Sequence, residues 1–193
     1  MRREIRHVPP LRAFVSAAHR SLRARYLLRR RKLRWLKPIL DPILGIVYDT
    51  NVTPRRVVLD TNVIVAALRS RRGASYQLLS LLGEDRFEIA VSVPLVLEYE
   101  DALTRDLERG PYSRGEIDDL LDFLCHVAHR QSIFFLWRPC LPDPKDDMVL
   151  ELAVAARCEA IVTHNGRDFV GTERLGIRID RPGDFLRTLK EPS

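Results

Sequence analysis

With 193 residues, 46% hydrophobic and 30% charged, the chain has room for one domain with a sizeable core plus something more, but not for two full domains. No apolar run approaches the roughly 20 residues that cross a bilayer, and Cys125, Cys140 and Cys158 show no C-x-x-C spacing. A disulfide or zinc framework is thereby excluded, and a reducing, cytoplasmic setting is expected. The net charge of +6 is unevenly placed: residues 1–56 hold 15 Lys/Arg against 3 Asp/Glu, and the remainder holds 17 against 23. A basic arm on an acidic body points to an anionic partner for the arm.

Residues 1–55 read as that basic extension, helical or poorly ordered, and residues 56–193 as the domain. Arg20 to Lys37 forms a dense basic run that includes Arg30 and Arg31, with Leu22, Tyr26, Leu33 and Leu36 at loosely helical spacing. Pro38 and Pro42 end it. The arm can hold nucleic-acid phosphates, with Tyr26 and Trp35 available for stacking. It can equally lie on an anionic membrane, act as a targeting segment, or be a plain extension. Met1 and Met148 are the only methionines, so a shorter product would start on a non-Met codon near Val47 or Val52.

From Arg56 short apolar runs alternate with amphipathic stretches, the pattern of a parallel α/β sheet. Val57, Val58 and Leu59 carry no polar alternation and predict a strand buried on both faces, ending at Asp60. Thr61 or Asn62 is placed to cap a helix over about 62–71, and a second helical pattern covers 74–83. Phe87 to Val91 is the second expected strand, with Ser92 and Pro94 opening a helix to about Glu108. Ser113 and Glu116 make a capping box for a helix to about His129. Ile133 to Trp137 is the third expected strand, and Asp146 or Asp147 starts the next helix. Strands at 160–162 and 177–179 and a closing helix at 182–189 complete the domain.

In a parallel sheet the loops after the strands share one rim, where ligands bind. That rim would gather Asp60, then Glu98 within the apolar V-P-L-V-L-E-Y, then Asp143, Asp146 and Asp147, then Thr163, Asn165 and Asp168 of T-H-N-G-R-D-F. Carboxylates brought close repel one another unless a cation offsets them. No His/Cys set has ligand spacing and every donor is an oxygen, which suits Mg²⁺ or Mn²⁺. Such a cation activates water and offsets charge at a phosphate, so phosphodiester hydrolysis is the natural reaction.

The order of these motifs resembles a known family. L-D-T-N-V at Asp60, Glu98 some 38 residues on, D-x-x-x-D-D-M-V-L-E-L-A at 143–153 and A-I-V-T-H-N-G-R-D-F at 160–169 resemble a PIN domain, in particular the toxins of bacterial type II toxin–antitoxin pairs. The resemblance spans about 57–185 and excludes the arm. It implies a three-layer α/β/α sandwich around a mostly parallel sheet of about five strands. It also implies an Mg²⁺- or Mn²⁺-dependent ribonuclease activity, a homodimer and a cognate antitoxin. By motif, Asp60, Glu98 and Asp147 match the first three acidic ligands, and these would be catalytic. Asn165 falls where many members have a fourth Asp, with Asp168 able to replace it in part. Asp143 matches a further acidic position. Thr61, Asn62 and Thr163 match the polar residues that shape the site.

Several other residues are weaker candidates. His164, Arg69 and Arg72 are placed to touch RNA. His126 and His129 lie three apart on one expected helix, where a solvated face is the plain reading. Asn51-Val52-Thr53 matches a glycosylation sequon, but nothing indicates secretion. A domain that binds RNA without cutting it is the main rival. An aspartyl-phosphate phosphatase would want a second Asp where Asn62 stands.

Overall fold

The computed structural model describes residues 55–84, 86–105, 112–134 and 141–190. The arm, with Arg30 and Arg31, lies outside the described residues, as do Cys140 and the segment 135–140. Among the described residues no helix is long and apolar enough to cross a membrane.

The chain alternates β1 (Arg56–Leu59), α1 (Thr61–Arg69), α2 (Ala74–Ser80), β2 (Glu88–Val91), α3 (Val93–Thr104), α4 (Arg114–Val127) and β3 (His129–Arg130). It continues with α5 (Pro144–Ala155), β4 (Ala160–Val162), two 3-10 turns (Gly166–Phe169 and Thr172–Leu175), β5 (Arg178–Asp180) and α6 (Pro182–Thr188). The strands form one sheet in the order β3-β2-β1-β4-β5, every neighbouring pair parallel. Helices flank it in the expected α/β/α arrangement. Val57, Val58, Leu59, Ala160, Ile161 and Val162 are fully buried, because the central strands of such a sheet are covered on both faces.

Topology then fixes where a ligand can bind. From β1 the chain steps outward to β2 and β3, then returns past β1 to β4 on its other side. Right-handed crossovers require the helices of the outward steps and α5 to lie on opposite faces. The crevice left at such a reversal, beyond the carboxyl ends of the strands, is the usual ligand site of open α/β sheets. Here it lies between the ends of β1 and β4, next to Asp60 and Thr163.

The expected elements need four adjustments. The third strand is His129–Arg130, paired with Ala90 and Val91, and Gln131 N–H donates to the Val91 carbonyl at 2.9 Å. The β2 ladder is open as soon as α4 ends on the extended Ala128, so pairing starts there and not at the more apolar Ile133. His126 and His129 therefore share no helical face. The N-cap of α1 is Asp60, with Thr61 and Asn62 inside the first turn. The N-cap of α5 is Asp143, whose Oδ1 accepts from Lys145 N–H at 2.9 Å, with Pro144 next. Neither Asp146 nor Asp147 starts that helix. The fifth strand is displaced by one residue. The capping box of Ser113 and Glu116 is complete on both sides.

At the sheet's other end Arg55 ties the start of the domain to its finish. Its Nε donates to Glu159 at 2.7 Å, and its guanidinium lies 5.4 Å from the centre of the Phe185 ring. Tyr99 does the equivalent work at the rim. It is 1% exposed, and its hydroxyl donates to the carbonyl of Leu59, the residue before Asp60. Burial pushes the phenol well above its ordinary pKa, so it stays a donor. Replacing Tyr99 with Phe leaves that carbonyl without its buried donor and should lower unfolding free energy by about 1–2 kcal/mol. Urea denaturation with an unchanged slope would report it.

Candidate active site

Asp60 is 8% exposed at the end of β1. Its Oδ2 accepts from Thr163 Oγ1 at 2.6 Å and from Asn62 Nδ2 at 2.5 Å. Asn62 Nδ2 also reaches Thr163 Oγ1 at 3.0 Å, and its Oδ1 accepts from His164 N–H at 3.1 Å. Thr163 Oγ1 further accepts from Asn165 N–H at 2.9 Å. Asn62 and Thr163 thus bridge the end of β1 to the loop after β4. Burial raises the pKa of Asp60, opposed by the Thr163 bond and the N–H groups at the start of α1.

Glu98 projects from α3 into the same region. Burial, then the charge of Asp60, raises its pKa, while Thr61 and Lys145 pull it down. Its Oε2 and the Thr61 hydroxyl are buried atoms that reach no hydrogen-bond partner at full geometry. From α5, Asp146 is raised from the ordinary 3.8 to about 6 by burial and then by Asp60, Asp168, Asp143 and Glu98. Asp146 is thus the α5 carboxylate whose pKa these four charges raise.

Asp147 has a different setting. It is 1% exposed, and its Oδ1 accepts from Leu141 N–H at 2.9 Å, closing the loop that leads into α5. In the loop after β4, Asn165 Nδ2 donates to Asp168 Oδ2, so the fourth position is an amide–carboxylate pair. Gly166 lets this loop lie against β5, since a Cβ there would come 3.2 Å from Ile179 Cγ2. The fully buried Phe169 anchors the turn. His164 is exposed beside this loop. Arg69, the last residue of α1, and Arg72, just beyond it, are exposed, and neither is among the groups that shift Asp60, Glu98 or Asp146.

The sequence matches the PIN domain family over residues 56–167. The chain belongs to the PIN domain family. PIN domains are generally nucleases that hydrolyse phosphodiesters. No curated protein matches this one. A crystal structure of VapBC2 from Rickettsia felis bound to a DNA fragment from their promoter is 16% identical, covering 65% of this chain and 98% of that one with a TM-score of 0.45. So slight a likeness carries no argument about this PIN domain.

A divalent cation fits the donor set in kind. Every donor is an oxygen, the carboxylates raise one another's pKa, and Glu98 Oε2 is buried without a hydrogen bond. Among the described residues, however, no three His, Cys, Asp or Glu side chains are gathered into a finished cage. The motif order points to Asp147, whereas the α5 carboxylate raised by the charges of Asp60 and Glu98 is Asp146. Its signal in the sequence was the D-P-x-D spacing, which puts it in the first turn after an Asp-Pro cap.

These raised carboxylates give the PIN domain a defined pH dependence. The unfolded chain ionises Asp146 from about pH 4, whereas the folded protein keeps its proton until about 6. Between those values the folded state binds more protons, so this group's contribution to stability falls as pH rises through the window. Asp146→Asn should therefore raise the urea midpoint of the cation-free protein at pH 7, and the gain over wild type should vanish near pH 4.

Proposed function

We propose that this PIN domain is an Mg²⁺- or Mn²⁺-dependent endoribonuclease. What supports it is a set of three carboxylates raised by burial, Asp60 at the end of β1, Glu98 on α3 and Asp146 on α5, the last two raised further by the charge of Asp60. In this reading those three hold the cation, helped by Asp168, Asn165 and Asp143. Asp147, matched by motif as a ligand and a catalytic residue, also holds the Leu141 loop in place through its Oδ1.

A bound Mg²⁺ or Mn²⁺ would supply an activated water and offset the charge that develops on the phosphate. The chain's own residues do the rest. Thr163 and Asn62 fix one oxygen of Asp60 and prevent the carboxylate from rotating. Thr61 sits against Glu98 and pulls its pKa down against the rise that burial causes. Lys145 lies near Glu98 and Asp101, so a cationic side chain flanks an acidic rim that would otherwise repel RNA. Cleavage in this manner leaves a 5′-phosphate and a 3′-hydroxyl.

The motif order also favours a toxin neutralised by a cognate antitoxin and acting as a homodimer. Such partners need an apolar surface, and Val93 and Leu97, 74 and 58% exposed, line a groove of about 410 Å³. The basic arm is then a further contact for nucleic acid or an anionic membrane. The second reading, a PIN domain that binds RNA and cuts it poorly, draws on Asn165, which brings an amide where a carboxylate would add charge.

Labelled RNA incubated with purified protein and Mn²⁺ decides between them. Cleavage to 5′-phosphate ends, abolished by EDTA and reduced at least about a hundredfold by Asp60→Asn, is expected of an essential charge-stabilising ligand. Cleavage that survives Asp60→Asn would sink the assignment.

A further inference from the structure

His164 is exposed, yet its ring is held. Its Nε2 lies 2.9 Å from the Oγ of Ser75, a residue only 3% exposed on α2. A buried hydroxyl has lost its water and needs a protein partner, and here the partner comes from a loop 89 residues away. Ser75 is itself well fixed, because Leu78 and Leu79 bury α2 in the core. The other end of His164 is fixed as well, by its backbone N–H on Asn62, which in turn holds Asp60. The imidazole is therefore set in a defined position relative to the carboxylate that heads the acidic cluster. A histidine that is merely solvated at the surface has no use for a buried clamp. Among the described residues, its other ring nitrogen, Nδ1, makes no hydrogen bond to the protein.

We propose that His164 contacts the RNA, offering Nδ1 to a phosphate oxygen next to the scissile bond, and that Ser75 is the positioning residue that aims it. The proposal rests on the ribonuclease function above and adds a backbone-binding group to it. In a neutral imidazole one nitrogen donates and the other accepts. In the Nδ1–H tautomer the Ser75 hydroxyl donates to Nε2, and Nδ1 donates to the phosphate.

Two substitutions separate the ring nitrogens. Gln at position 164 can place its amide near Nε2 and keep Ser75 satisfied while offering nothing at Nδ1. Asn can place its amide near Nδ1 and gives up Ser75. Binding of fluorescein-labelled single-stranded RNA is measured by anisotropy in the full chain carrying Asp60→Asn, and KM and kcat are measured with Mn²⁺ in the otherwise unaltered chain.

His164→Gln should weaken binding about tenfold, the size of one lost hydrogen bond to a charged group, and raise KM by a similar factor with kcat within about twofold. His164→Asn should retain more affinity than His164→Gln. Ser75→Ala should weaken binding about threefold alone and add nothing to His164→Gln, as expected of residues acting through one contact. Unchanged affinity in both His164 variants, or a Ser75→Ala effect that adds in full, overturns the proposal. Absence of cleavage in the unaltered chain would count against the ribonuclease function, and the binding comparison would still decide the role of His164.

Discussion

The burial of the Asp60 carboxylate is the constraint on which the rim depends. It closes a strand whose three preceding residues are fully buried, so the charge has been withdrawn from most of its water. Two short hydrogen bonds, from Thr163 and Asn62, offset part of that cost and leave the carboxyl above its ordinary pKa. The same bonds fix the geometry of everything nearby. They tie the end of β1 to the loop after β4, and Asn62 passes the constraint on to His164. A residual electrostatic cost concentrated at one point of an otherwise well-packed sheet is a common sign of a functional site.

Topology explains why this cost falls here. The reversal of strand order opens the crevice beside β1, and the parallel sheet brings the starts of α1, α3 and α5 to the same rim. Each contributes one carboxylate: Asp60 at the N-cap of α1, Glu98 in the second turn of α3 and Asp146 in the first turn of α5. Tyr99, one residue after Glu98, locks α3 to the carbonyl before Asp60, so the spacing of two of the three is set by a buried bond. Tight packing thus holds mutually repelling groups together, and a cation would relieve the repulsion.

Much of this was legible in the sequence because the signals were local. The unbroken V-V-L before Asp60 marks a doubly buried strand, and Ser113 with Glu116 forms its capping box as written. Glu98 stands out as a carboxylate in an apolar helix. The two adjacent aspartates were harder to separate. Neighbouring residues on a helix point about 100° apart, so the choice between Asp146 and Asp147 depends on where the helix begins. That start is set by Asp143 and Pro144. The third strand, His129–Arg130, is two residues of edge pairing with no propensity signal to mark them, and the more apolar run from Ile133, of which residues 135–137 lie outside the described residues, drew the assignment. Ser75 and His164, 89 residues apart, share no pattern that a linear reading can detect.

The central claim is that Asp60, Glu98 and Asp146 together form a divalent-cation site. Electron paramagnetic resonance of Mn²⁺ titrated into the full chain at pH 7 tests it without RNA or turnover. Saturable depletion of the free Mn²⁺ signal is expected, with affinity lost in Asp60→Asn and weakened more by Asp146→Asn than by Asp147→Asn. No saturable binding, or binding that Asp60→Asn leaves intact, would contradict the account.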